Sequence, residues 1–477
     1  MSATRRHIPL RLGISAAGPL VTAVVIDDRD DIVSIGTAAG GRGDLDSAVR
    51  GALEQVDAAE IGLAMLATTA FADWLEDHRA VAGVGVIRVG ATPTTAVPPF
   101  AGWPQPIEGR VTGPWLSTGG GTDIDGSVNG ELDLAAVRAF AERCRDRCGG
   151  IAVSGSFSYL NDRPERAVAT VIREVLGAES PIAQSHEVGG FGLLERENAT
   201  ILNAALSGPA RAVISGVRSA LRGLDIRAEL FVARNDGTLV SASRASVLPI
   251  HLVSGRLATA VRGRARLAGT TDAIVVDHDG RSPRAGALRQ GQLVFDPTPT
   301  LAGVRTSQPV PLGFAEPAGM TEEQLVSRLR RRVGDLPVLD SWEARPTTAE
   351  ASAFAVASAA GAALAPVSAS VWGFVGAESD RADTLAMAKR RAVDEAILAG
   401  ADPTDTEVRQ VIDTHVTYMS GGTHRLFVQA AGRPFQPRVE PVGTASERKH
   451  HVAQDKAALG GDAVRRHGGA GDDRMRL

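Results

Sequence analysis

The chain has 477 residues, 44% of them apolar and 22% charged, enough apolar material for two or three packed units and too much for a chain disordered throughout. A net charge of -4 gives no pull toward nucleic acid or an anionic membrane, and two cysteines, Cys144 and Cys148, cannot brace a chain of this length. The three lysines are Lys389, Lys449 and Lys456, so nothing before residue 389 can serve as a Schiff-base amine or phosphate-loop lysine.

No stretch approaches the ~20 uninterrupted apolar residues of a membrane span. Arg5-Arg6 ahead of the apolar run 12–26 superficially matches a twin-arginine signal, but Arg11 interrupts it and no A-x-A site closes it. The expectation is a cytoplasmic protein. Ile8 to Gly13 and Val21 to Ile26 are apolar runs joined by Ser15-Ala16-Ala17-Gly18-Pro19, a hairpin-like start. Asp133 caps a helix with Leu134, Val137, Phe140, Cys144 and Cys148 on one face, and Ile151-Ala152-Val153 follows as a buried strand. The cysteines read as core residues rather than metal ligands. A second helix starts near Pro164-Glu165 and stops at Gly177. A long helical region runs from Glu195 to about Leu221, with an interruption expected at Gly208-Pro209. Leu230-Phe231-Val232 and Ala273-Ile274-Val275-Val276 are the clearest later strands. The Ala/Ser-rich stretch 349–364 predicts a helix packed closely on another backbone, 383–399 an amphipathic helix, and 441–477 a disordered charged tail. Alternating strands and helices predict an α/β fold.

The densest polar cluster is S-H-E-V-G-G-F-G-L-L-E-R-E-N-A-T-I-L-N-A-A-L at 185–206. A strand and its loop would deliver Ser185, His186 and Glu187 at the carboxyl end of a sheet, where α/β proteins place ligands. Asn198 and Thr200 read equally well as helix caps. This segment resembles that of the hydantoinase/oxoprolinase family, whose members open cyclic amides such as hydantoins and 5-oxoproline using ATP. The resemblance extends to Asn235-Asp236-Gly237-Thr238-Leu239, to Gly120-Gly121-Thr122-Asp123-Ile124-Asp125-Gly126, to Val153-Ser154-Gly155-Ser156-Phe157-Ser158, and, more loosely, across residues 8–435.

The resemblance implies a duplicated ribonuclease-H-like fold, two α/β lobes of the actin and sugar-kinase type with a cleft between them. The lobes are expected at 1–184 and 185–440, ahead of the tail at 441–477. It also implies His186 and Glu187 as an acid/base pair, with Asp125, Glu195 and Asn198 beside them, and Asn203, Asn235 and Asp236 toward the substrate. For ATP and Mg it implies Gly18 in a first phosphate hairpin and Asp277, Gly280, Arg281 and Arg284 in a second, Asp277 holding the metal. The departures fall on those hairpins. Residues 13–22 carry Ser15 for the family's aspartate and Pro19 for a threonine, and a proline has no N–H to give a phosphate. Asp279 puts a carboxylate where a phosphate would sit unless Arg281 or Arg284 neutralises it. Of the Gly-rich segments expected near 312–317 and 339–343, the first has lost its glycine cluster and the second reads Leu339-Asp340-Ser341-Trp342-Glu343. Together these argue against ordinary Mg·ATP binding.

Three readings follow: a hydrolase of cyclic amides, a catalytically silent subunit serving as a scaffold, or a cleft in which Arg281 and Arg284 hold another anion without magnesium. The partners expected are a small cyclic amide and a second copy or a partner hydantoinase subunit, with neither nucleic acid nor membrane. Asp123 and Asp125 also read as turn residues bonding their own backbone.

Overall fold

In the computed structural model, the residues described are 10–39, 44–54, 56–77, 82–90, 96–278, 283–315, 319–339, 353–375, 381–416 and 423–436. The tail expected at 441–477 lies outside them. The chain opens with β1 (Leu10–Ala17), β2 (Leu20–Ile26) and β3 (Ile32–Ala39), then α1 (Asp44–Ala52), β4 (Ile61–Thr68) and α2 (Ala70–Asp77). There follow β5 (Val84–Val89), α3 (Gln105–Val111), β6 (Thr112–Thr118), the short ribbon β7 (Gly121–Thr122) and β8 (Val128–Asn129), α4 (Leu134–Cys144), β9 (Gly150–Gly155), α5 (Arg163–Leu176), β10 (Ile182–Gln184), α6 (Ser185–Val188) and α7 (Leu193–Gly223). The second half holds β11 (Glu229–Ala233), β12 (Leu239–Ser241), α8 (Ala242–Val247), α9 (Gly255–Leu267), β13 (Ala273–His278), β14 (Pro283–Arg289), β15 (Gln292–Leu293), the ribbon β16 (Thr300–Leu301) and β17 (Val304–Arg305), α10 (Glu322–Val333), β18 (Val338–Leu339), α11 (Ala353–Ala363), β19 (Val367–Val375), α12 (Arg381–Leu398), β20 (Glu407–His415) and β21 (His424–Gly432).

The duplication expected from the resemblance is visible in the strand order. β1, β2 and β3 form an antiparallel meander, α1 follows, and β4 then pairs in parallel with β1. β13, β14 and β15 form a second meander, α10 follows, and β18 pairs in parallel with β13. These are two ribonuclease-H-like lobes of the actin and sugar-kinase type. The first lobe grows into a nine-stranded sheet of order β20-β21-β19-β12-β11-β4-β1-β2-β3, and the second stays four-stranded, β15-β14-β13-β18. Between β4 and β11 lies an inserted all-parallel sheet, β10-β9-β5-β6, with α4 and α5 packed against its strands and α7 against β9. The boundary expected at 184/185 falls between β10 and α6, and the nine-stranded sheet draws strands from both sides of it.

The small-faced helix behaves as its composition predicts. α11 crosses α9 so closely that a Cβ at Gly361 would fall 2.1 Å from the Thr259 carbonyl oxygen, and one at Gly263 would fall 1.9 Å from that of Ala357. Asp133 caps α4 through the Ala136 N–H, as the spacing predicts, and Cys144 packs in the core of the inserted sheet. The interruption expected at Gly208-Pro209 is absent: α7 runs through both residues. A proline's Cδ ordinarily collides with the Cβ of the residue before it, and Gly208 has none, so the helix continues. Among the described residues no helix is long and apolar enough to cross a membrane.

Candidate functional site

β10 ends the inserted sheet, and its next residues turn into α6, which places Ser185, His186 and Glu187 beyond a strand terminus. Their environment is built around a carboxylate that the sequence reading missed. Glu165, in the first turn of α5, is fully buried. Its Oε1 accepts from the Gly155 N–H at 2.6 Å and the Ser185 hydroxyl at 2.5 Å; its Oε2 accepts from the His186 N–H at 3.0 Å and lies 2.6 Å from His186 Nδ1. Burial pushes this carboxyl up, but the contacts with His186 and Ser185 outweigh it and hold Glu165 below the usual carboxylate range. An ionised Glu165 only accepts, so Nδ1 carries a proton, and in the neutral form of the ring Nε2 is the bare nitrogen. Nε2 is buried with no hydrogen-bond partner, and the nearest carboxylate, Asp162, is 3.7 Å away.

Arg196, from the first turns of α7, ties the arrangement together. It donates from Nε to Ser185 Oγ at 3.1 Å and from its terminal nitrogens to the carbonyls of Gly155, Gly190 and Phe191. The 185–206 motif is therefore in part a clamp.

His186 faces a cavity of about 1110 Å³, walled by the loop 189–192, the turn 234–238, the loop 305–309 and one face of β19–β21. Glu187, Glu195 and Asp236 also line it. Glu187 pairs with Arg244 at 3.4 Å rather than with His186, whose partner is Glu165, and Glu195 pairs with Arg305 at 3.4 Å. Asp236 Oδ1 accepts from the Thr238 N–H and hydroxyl, and Oδ2 from Gln429 at 3.1 Å. Burial pushes the Asp236 carboxyl up, but Arg234 and these donors hold it low.

Four expected site residues do other work. Asn203 bridges the Val247 carbonyl and the Ile250 N–H, and Asn235 bridges the Ile250 carbonyl and Ser254, so both amides pin loops and neither lines the cavity. Asn198 accepts from Trp103 Nε1 and donates to the Arg305 carbonyl, each at 3.0 Å. Asp125 stands in an exposed turn, accepting from the Ser127 N–H and hydroxyl, which lower its carboxyl pKa.

His251 lies under the same cavity, its Nε2 3.0 Å from the Val188 carbonyl. Burial, helped by Arg234, pushes its imidazole down to about 3. An unfolded chain protonates this histidine near 6.5. Between those values the unfolded state binds more protons, so stability falls as pH falls, by about 1.4 kcal/mol per pH unit from this group. His251→Asn is expected to flatten that part of a plot of urea midpoint against pH; an unchanged slope would contradict the assignment.

The scaffold, the buried Glu165–His186 pair and the clamp of Arg196 can now be set beside known proteins. Residues 11–176 match the hydantoinase/oxoprolinase N-terminal region, and residues 196–311 match hydantoinase/oxoprolinase. The chain belongs to the hydantoinase/oxoprolinase family. Two solved structures share its fold. The nucleotide-free structure of acetone carboxylase, from work on ATP-dependent acetone carboxylation, matches with a TM-score of 0.62 at 14% identity, covering 91% of this chain and 89% of that one. The ATP-dependent caprolactamase from Pseudomonas jessenii matches with a TM-score of 0.62 at 14% identity, covering 90% and 89%. No curated protein sequence matches.

The Mg·ATP that the family implies is a poor fit to the hairpins as described. β1 and β2 close through Gly18-Pro19, with Ala17 paired to Leu20, so one turn position has no N–H. Gly18 is exposed with φ +55°, and open space surrounds it. Ser15 is buried and accepts from Arg256 Nε at 3.2 Å, so a cation already occupies the side where the family places its aspartate. At the second hairpin, Arg284 is held by Glu76 at 2.7 Å and stacks 4.9 Å over Phe314, which answers the expectation that it would meet an anion. Gly280, Arg281 and the Asp277 side chain lie outside the described residues. Among the described residues, none of those lining the large cavity comes from either hairpin.

Proposed function

We propose that this protein hydrolyses a small cyclic amide in the 1110 Å³ cavity, using His186 as base and then acid, with no nucleotide step. The observation that carries the reading is the His186 ring on a residue that lines the cavity: Nδ1 fixed by an ionised, buried Glu165, and Nε2 with no hydrogen-bond partner, 3.7 Å from Asp162. That is the arrangement of a base oriented by a carboxylate. Water bonds through oxygen to the ring carbonyl carbon as its proton passes to Nε2. The C–N bond then breaks, Nε2 returns the proton to the departing nitrogen, and an open-chain carboxylic acid with a free amine or ureido nitrogen results.

The eroded hairpins favour a second reading, a silent subunit that binds a copy of itself or a partner hydantoinase subunit. The two part on one experiment. Wild type and His186→Ala are incubated with hydantoin or 5-oxoproline and the ring-opened acid is followed by chromatography. Product from wild type and a loss of about 100-fold or more in the variant are expected. Equal non-zero rates would reject His186 as the base; no product from either protein would leave the silent reading.

A further inference from the structure

The β19, β21 and β20 strands pair antiparallel in a register that sets one face in cross-strand rows. Trp372, Phe427 and Ile412 stand side by side in one row, with Ser370, Gln429 and Gln410 in the next, and both rows line the cavity. The rings of Trp372 and Phe427 are 4.6 Å apart, and Phe191 meets Trp372 at 4.7 Å and 84°. Aromatic residues make up only 4% of the chain, yet these three half-buried rings converge on one wall. Gly189, three residues after His186, brings that wall to the chemistry: a Cβ there would lie 3.2 Å from Trp372 Nε1.

A bare five-membered ring fills little of this volume, which already stands at the top of the roughly 300–1,000 Å³ typical of small-molecule sites. An aromatic box of this kind can take a flat ring or a cation. The Arg425 guanidinium already lies 4.7 Å over Phe191 and makes no ion pair among the described residues, so a second cation would be repelled. Trp372 and Phe427 also lie beyond residue 311, and Phe191 lies between the two matched family regions.

We propose that the site selects cyclic amides bearing a flat aryl substituent, and that Trp372 and Phe427 make the selection. The cyclic-amide half of this statement rests on the function proposed above; the aryl half does not. The test is calorimetric titration of the full chain with hydantoin, 5-phenylhydantoin, phenylacetamide and tetramethylammonium. At least about tenfold tighter binding of 5-phenylhydantoin than of hydantoin is expected, with quenching of tryptophan fluorescence in wild type. Trp372→Leu and the Trp372→Ala/Phe427→Ala pair should bring the affinities for the two hydantoins within about threefold of each other. Equal affinities in wild type, a preference that survives in both variants, or tightest binding of tetramethylammonium would each overturn the proposal. Phenylacetamide separates the two readings. Its binding, lost in the variants while neither hydantoin binds, supports the aryl wall and rejects the cyclic amide; no aryl compound binding wild type rejects the wall, whatever the ring-opening assay gives.

Discussion

Glu165→Gln is expected to lower kcat for ring opening by about 10²–10⁴-fold while KM changes little. The substitution keeps size and burial, and the retained amide oxygen can still accept from the Gly155 N–H and the Ser185 hydroxyl. What changes is the atom facing both His186 Nδ1 and the His186 N–H, which loses its acceptor. A carboxylate oxygen fixes the tautomer with Nε2 bare, whereas an amide nitrogen placed there donates to Nδ1 and leaves the proton on Nε2. The base then faces the substrate in the wrong form. Circular dichroism should report an unchanged fold. A variant with wild-type kcat would show that Glu165 only props the loop, and the acid/base reading of His186 would go with it.

The largest effect on stability is expected at the Arg88–Glu197 pair. Arg88, on β5, meets Glu197, on α7, through two bonds of 2.5 and 2.8 Å, with both side chains 1% exposed. Such a pair contributes little relative to apolar residues of similar size, but removing one partner strands a charge in the interior. Glu197→Ala should cost about 3–5 kcal/mol in urea unfolding, and the double change Arg88→Met/Glu197→Leu should recover most of it. A loss under about 1 kcal/mol for the single variant would mean that water reaches Arg88. The pair matters to function because α7 also carries Arg196, the clamp on Ser185 and on the carbonyls around the site.

What the sequence showed clearly was local. The motif at 185–206 marked a strand end with polar residues beyond it, and His186 does face the cavity there. Pro19 and Ser15 could be read as changes to a phosphate hairpin because a missing N–H and a missing carboxylate are properties of single residues. Small residues from 349 onward announced a close helix crossing. Glu165 was invisible as His186's partner because it stands 21 positions earlier, in a helix's first turn, where an acidic residue is ordinarily explained by the helix dipole. The partners of Asn203 and Asn235 were not legible either: a buried amide that satisfies two backbone groups looks, in sequence, like one that meets a ligand. The aromatic wall escaped notice because Phe191, Trp372 and Phe427 lie far apart in sequence: sheet register pairs Trp372 with Phe427, and the loop 189–192 brings Phe191 to them.

On the function proposed above, the family scaffold keeps a working His186 cavity while its phosphate hairpins no longer serve a nucleotide. The direct measurement is the ring-opening rate of the full chain, treated with apyrase and EDTA, compared with the rate in saturating Mg·ATP. The account predicts the same rate in both, lost in His186→Ala. Turnover that appears only with Mg·ATP, in step with release of phosphate, would contradict it.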